Sequence, residues 1–182
     1  AIGVEVETDT DTTFSRVGRS DAEGCLTLPP LAPYRSTPDI EALRARVIGL
    51  FAAPVAIDIP LTDDAPEMLV LALPPFGAAR VRIIEVEGEE AGGDISLAAA
   101  PRDPIDLKGQ PNRLSNSLDR NSHEARLFPV GLGLELKGRW QPSAEDPFTN
   151  QSFRGVGPRV RGEDALIEVP AGRTLPSVRL RL

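Results

Sequence analysis

The chain has 182 residues, of which 41% are hydrophobic and 26% are charged, and this balance excludes an intrinsically disordered polymer. Its formal net charge of −7 is carried entirely by residues 1–76, where twelve carboxylates face five cations, whereas residues 77–182 carry fifteen of each. An acidic or neutral surface argues against nucleic-acid binding, and the absence of any run of ~20 apolar residues argues against membrane insertion by this chain.

The residue composition favours an all-β protein. Eighteen prolines and sixteen glycines are typical of short elements joined by turns. All twenty cations except Lys108 and Lys137 are arginines, which suits a bacterial genome of high GC content. The chain begins without methionine, so we expect an excised part of a longer protein. The single cysteine, Cys25, is expected to be a small buried residue of an apolar strand, and it cannot form an internal disulfide.

The first elements in chain order are strands with a tight turn between them. "IGVEVET" alternates apolar and acidic residues, and "TFSRVGR" follows as a second strand. The turn "SDAEG" comes next, where we expect Asp21 to cap its own loop and Gly24 to adopt positive φ. "CLTL" then predicts a strand that ends at Pro29 and Pro30.

Residues 37–49 carry signals for both helix and strand. Thr37 and Pro38 are typical of a helix start, whereas Leu43, Ala45 and Val47 alternate as in a strand. The sequence therefore predicts a helical turn near residues 38–43 that leads into a strand. "PVAIDIPL" and "EMLVLAL" predict two further strands.

The pattern begins again after "PPFG" at residues 74–77. "ARVRIIEVEGEEAGGDISLAAA" predicts strand, turn and strand, and the later segments "HEARLFPV", "GLELKGRW", "DALIEVP" and "SVRLRL" predict four more strands. We therefore expect two tandem antiparallel Greek-key β-sandwiches. The first covers 1–76 and is shortened at its N terminus, and the second covers 77–182 with a long loop near 140–161. Few buried contacts are expected at the boundary.

Two short motifs carry a family resemblance. "DAEGCLTLPPL" resembles the signature of carboxypeptidase regulatory-like domains, which are small transthyretin-like β-sandwiches; the matching positions are Asp21, Gly24, Leu26, Leu28 and Leu31. "VRIIEVEGEEAGGDISL" is similar to the opening of the same family, and its matching positions are Val86, Gly88, Gly93, Ile95 and Leu97. The chain departs from the family at "APYRST" and "DRNSHEARL". The resemblance implies that the sandwiches are transthyretin-like or immunoglobulin-like and that the chain is a non-catalytic accessory module of a secreted or cell-envelope protein.

Catalytic and metal sites are not expected. Some transthyretin-like proteins are hydrolases or iron oxygenases that need several histidines or tyrosines, but this chain has one of each. His123 is expected to be a solvated loop or strand-edge residue, and the carboxylate pairs 63–64, 89–90 and 145–146 to be solvated turns. "ETDTDTT" at 7–13 lacks the glycine and the spaced acidic ligands of a calcium loop. We expect no enzyme activity and no cofactor.

Ligand binding is the alternative to a spacer, stability or interaction role beside other domains of the parent protein. The 140–161 loop is rich in proline and glycine and offers aromatic, amide and cationic groups that suit a carbohydrate or peptide. The candidate ligand-binding residues are Trp140, Phe148, Asn150, Gln151, Phe153, Arg154 and Arg159. The competing interpretation is that Trp140 fills the core and the phenylalanines pin the loop to the sandwich.

Overall fold

The computed structural model of the protein is all-β, as the sequence predicts. It describes residues 2–8, 15–28, 30, 43–62, 67–84, 92–100, 113–119, 121–142 and 151–171. The strands in these ranges are β1 (Gly3–Thr8), β2 (Ser15–Arg19), β3 (Leu43–Val47), β4 (Ala56–Ile59), β5 (Phe76–Ile84), β6 (Asp94–Ala100), β7 (Arg113–Ser117), β8 (Glu124–Gly131), β9 (Glu135–Gln141), β10 (Gln151–Val156) and β11 (Asp164–Pro170). Within those ranges no helix is long and apolar enough to cross a membrane.

The first four strands form one antiparallel sheet in the order β2-β1-β3-β4. Burial alternates along β3, as its sequence pattern predicts, and Leu43 and Ala45 form a small core with Ile59. Half-buried apolar residues pack on this core, namely Val4, Leu28, Ile57, Leu61 and Leu69. A second sheet for this part of the chain stays a prediction. The helical turn predicted near residues 38–43 lies outside the described residues as far as residue 42, and residue 43 begins β3.

The turn after β2 has the predicted chemistry. The Asp21 carboxylate accepts a hydrogen bond of 2.7 Å from the Cys25 backbone N–H, and Gly24 has a φ of +86°. Both expectations for this turn are confirmed. The strand predicted at 25–28 is wrong, because these residues join no ladder, and Cys25 is exposed rather than buried. The carboxylate cap closes the turn locally, so the turn needs no partner strand after it.

The strand predicted for "EMLVLAL" is also wrong, because residues 67–73 are in no described ladder. Burial still alternates there: Leu69 and Leu71 are half-buried, while Met68 and Val70 are 73% and 76% exposed. The alternation of apolar residues in this segment therefore indicates that one side of the segment packs on the core. It does not report a hydrogen-bonded neighbour.

Strands β5 to β11 form a sandwich of two sheets. One sheet has the order β10-β9-β6-β7 and is antiparallel throughout, and the other has the order β11-β5-β8. The pair formed by the first and last of these strands, β5 and β11, is parallel and departs from the predicted antiparallel sheets. The core between the sheets consists mainly of Val81, Ile83, Ile95, Leu97, Leu127, Val130, Leu136, Trp140, Ile167 and Val169.

Side chains connect the two sheets at both edges. The Asn116 amide donates to the Arg126 carbonyl at 2.9 Å between β7 and β8, and the Gln151 amide donates to the Pro170 carbonyl at 2.7 Å between β10 and β11. The sequence analysis missed β7 and placed β10 inside a long loop. The bounds of the loop predicted at 140–161 are therefore wrong, because residues 140–141 end β9 and residues 151–156 form β10.

The two parts of the chain are joined by residues that directly follow β3. Leu50 is fully buried in the sandwich core; its N–H donates to the Pro129 carbonyl at 3.0 Å, and its own carbonyl accepts from the Gly131 N–H at 2.7 Å. Phe76 makes edge contacts with Phe51 and Phe128, with ring centroids 6.4 and 5.3 Å apart. The boundary near residue 76 stays a prediction, but the sandwich core extends across it to residue 50.

Candidate functional site

The outer surface of the four-stranded sheet carries a line of cations that we call the basic face. Strand register places Arg154 opposite Lys137, Lys137 opposite Ala98, and Ala98 opposite Arg113. Since directly paired residues lie on the same side of a sheet, these side chains form one row across all four strands. The small Ala98 leaves a gap in the middle of the row.

A second row of the basic face lies beside the first. Here Ser152 is opposite Arg139, Arg139 is opposite Ser96, and Ser96 is opposite Ser115. This row therefore adds one guanidinium and three hydroxyl groups. The two rows line an open groove of about 460 Å³, and a second groove of about 440 Å³ continues from Arg139 and Ser96 towards Asp94 and Gln141.

The four cations of the basic face, Arg113, Lys137, Arg139 and Arg154, form no ion pair with any carboxylate that the structure describes. Asp94 and Glu135 are the two carboxylates that the described strands add to this face, and Asp94 already accepts a hydrogen bond of 2.7 Å from the Ser117 hydroxyl. Neighbouring strands are about 4.8 Å apart, so the aligned cations repel one another. An anion laid on the row would relieve that repulsion.

The inner side of the same sheet explains how the basic face is held in place. Gly138 is directly opposite Phe153, and a Cβ atom on Gly138 would lie 2.0 Å from the Phe153 ring. The ring therefore covers the position that a side chain would occupy. Beside it the Trp140 indole N–H donates to the Gly92 carbonyl at 3.1 Å. These contacts fix β9 and β10 from below and leave their outward residues free for solvent.

The outer surface of the three-stranded sheet, which we call the paired face, has the opposite character. Arg82 donates to Glu124 at 2.6 Å from Nε and lies 3.7 Å from Glu168 on its other side. Arg126 donates two hydrogen bonds of 3.1 Å to Asp164. These hydrogen bonds hold the pKa of the Asp164 carboxyl below its ordinary value. The charges of this face are neutralised within the fold.

The residues that the sequence singled out are not brought together. Trp140 is buried in the core, Gln151 bridges β10 to β11, and Phe153 lies on the inner side of its sheet. Arg159 is exposed in the β10–β11 connection, where its N–H donates to Glu163 at 3.2 Å. Arg154 is the one of these residues that belongs to the basic face. Phe148 and Asn150 lie outside the described residues.

Sequence reasoning missed most of the basic face, namely Arg113, Lys137, Arg139 and the three serines. One signal was present in "ELKGRWQ", where Lys137 and Arg139 alternate with the buried Leu136, Gly138 and Trp140. That alternation places the two cations on one side of β9. It does not show which residues of other strands lie beside them.

The groups considered for catalysis have local roles or cannot be placed. His123 lies in the turn before β8, and its N–H donates to the Asp119 carbonyl at 2.8 Å. A hydrogen bond from the Ser122 backbone N–H, with others from the same turn, lowers the pKa of Asp119. The described residues contain no group of three or more His, Cys, Asp and Glu that could hold a metal. Asp9, Asp11 and the three carboxylate pairs lie outside those residues.

Comparisons with protein-family models, with curated proteins and with solved structures gave no match for this chain. The basic face is therefore interpreted from its own chemistry.

Proposed function

We propose that the chain is a non-catalytic accessory module of a larger secreted or cell-envelope bacterial protein, with a spacer or protein-interaction role. Its family resemblance is to carboxypeptidase regulatory-like domains, and the Asp21–Gly24 turn that carries the first motif supports it. In the sandwich, β6 pairs with β7 in one sheet and β5 pairs with β8 in the other, and the Asn116 amide joins β7 to β8 across the edge. The resulting order β5-β8-β7-β6 supports a transthyretin-like Greek key.

The observation that carries the spacer role is the joint between the first sheet and the sandwich. Leu50 follows β3 after two residues, so the chain passes directly from one sheet into the other core. Gly49 permits this close approach, because a Cβ atom there would lie 2.8 Å from the Pro129 ring. A joint with buried apolar contacts and two backbone hydrogen bonds is stiffer than an exposed linker. Stiffness is the property that a spacer needs.

The exposed Cys25 provides a direct test of this stiffness. Nitroxide labels on Cys25 and on a second cysteine introduced as Arg161→Cys report the distance between the first sheet and the β10–β11 connection of the sandwich. We expect one narrow distance distribution, and a wider one when Phe51→Ala removes the aromatic contacts of the joint. A broad distribution in the chain without Phe51→Ala would contradict a spacer role.

The second candidate function, carbohydrate or peptide binding, is favoured by one observation. Arg154 lies on the basic face beside three further cations that have no described carboxylate partner. Exposed cations that are aligned but unpaired destabilise a sheet slightly, so their arrangement suits a ligand rather than the fold.

A further inference from the structure

We propose that the basic face binds an acidic polysaccharide, a carbohydrate chain with a carboxylate on its sugar units, laid across the four strands. This inference rests on the second candidate function and names its ligand class. The row from Arg154 to Arg113 crosses three inter-strand spacings, about 14 Å in all. The groove along it is open to solvent and continuous with the groove around Arg139 and Gln141. An extended chain can therefore enter and leave at both ends.

The cations have the spacing and chemistry to take several carboxylates at once. Lys137 and Arg154 are paired neighbours on adjacent strands, and Arg139 is two residues from Lys137 on the same side of β9. Arginine holds a carboxylate through two parallel hydrogen bonds, whereas lysine acts as a point charge. Ala98 occupies the middle of the row, so a ligand can lie low between Lys137 and Arg113.

The polar residues of the basic face favour a ligand rich in hydroxyl groups. Ser96, Ser115 and Ser152 can each donate or accept a hydrogen bond. Asp94 and Glu135, at the margins of the row, can accept hydrogen bonds from sugar hydroxyls.

The groups that other macromolecules need are missing from the described part of this face. Its described strands present no aromatic side chain outward, because Trp140 and Phe153 both lie on the inner side, so nucleic-acid bases have nothing to stack on. The outward residues of the groove are serine, alanine and cations, whereas Leu97 and Phe153 of its lining pack on the inner side of the sheet. The outward residues therefore offer no apolar pocket for the anchor residue of a peptide. A polysaccharide that carries carboxylates needs neither feature.

Affinity electrophoresis tests the proposal with the whole chain. Native gels containing polygalacturonate should retard the protein, whereas gels containing the fully methyl-esterified polymer should not, because esterification removes the carboxylate charge. The retardation should weaken as salt rises, since exposed charges are screened. Absence of retardation by polygalacturonate at low salt would overturn this inference, and absence of binding to poly-glutamate as well would overturn the second candidate function.

Variants locate the site. The double substitution Lys137→Ser with Arg154→Ser should weaken binding about tenfold, because two exposed charge contacts are lost. The control Arg161→Ser, an exposed cation in the β10–β11 connection, should bind like the unmodified chain. Thermal melts verify that both variants fold. Equal binding by the double variant would overturn the site.

Competing anions distinguish the polysaccharide assignment from the second candidate function, carbohydrate or peptide binding. Poly-glutamate and a single-stranded oligonucleotide are tested at equal charge concentration. Weaker binding of both than of polygalacturonate supports the proposal. Tighter binding of poly-glutamate would overturn the polysaccharide assignment, while the second candidate function would stand as peptide binding. Tighter binding of the oligonucleotide would overturn both.

Discussion

The two outer faces of the sandwich use the same charged residue types in opposite ways. On the paired face, Arg82 lies between Glu124 and Glu168, and Arg126 is bound to Asp164 through two hydrogen bonds. On the basic face, Lys137 and Arg154 are paired with each other across two strands. The ion pairs of the paired face stabilise the fold. The cations of the basic face have no described carboxylate partner within the fold.

The difference follows from which strands are neighbours. β5 is rich in arginine, and it lies between β8 and β11, which both present carboxylates outward. β9 also presents cations, but its neighbours β6 and β10 offer serine, alanine and another arginine at the matching positions. An equal number of acids and bases in residues 77–182 therefore conceals one neutral surface and one positive surface.

The largest expected effect comes from disturbing the support beneath the basic face. Gly138→Val places a side chain where the Phe153 ring lies, and we expect unfolding free energy to fall by about 2–3 kcal/mol. Strand propensity alone predicts the opposite sign, since valine is favoured in strands over glycine. Denaturant unfolding followed by Trp140 fluorescence measures the change. An unchanged or raised stability would show that the ring does not hold β9 to β10.

A smaller loss is expected from breaking the network of the paired face. Glu124→Gln keeps the shape of the side chain but removes the charge that Arg80 and Arg82 share. The Glu124 side chain is 17% exposed, between a buried and a surface ion pair, so we expect a loss of about 1–2 kcal/mol.

The matched control for this network is Glu135→Gln, which removes a carboxylate from the basic face. It should change stability by no more than about 0.5 kcal/mol, because no described ion pair is lost. Equal effects of the two substitutions in a thermal melt would mean that the two faces do not differ as described.

Strand positions could be predicted from the sequence wherever alternation was matched by a partner strand. β3, with Leu43, Ala45 and Val47 buried, is such a case. The same alternation in "EMLVLAL" gave a wrong prediction, because a sequence pattern records burial and cannot record a hydrogen-bonded neighbour. β10 was missed because Phe153 and Gly155 show only weak alternation within a segment rich in glycine and proline.

The basic face could not be predicted, because it depends on pairing between strands that are distant in the chain. Arg113 and Lys137 are separated by 24 positions in the sequence, yet only Ala98 lies between them in the sheet. The burial of Trp140 was easier to predict, because a large apolar residue in an alternating strand usually fills a core. Trp140 is buried, as the competing interpretation of the 140–161 segment held.

The smallest expected change in stability tests most directly whether the basic face differs from the paired face. Lys137→Gln removes a cation that has no described partner and lies directly opposite Arg154. Like charges in directly paired positions destabilise a sheet, so the substitution should raise stability by about 0.2–0.5 kcal/mol. Added salt screens the same repulsion and should raise the melting temperature of the unmodified chain more than that of the variant. A melting temperature that falls on substitution would mean that Lys137 has a stabilising role in the fold, and the basic face would then be a structural feature like the paired one.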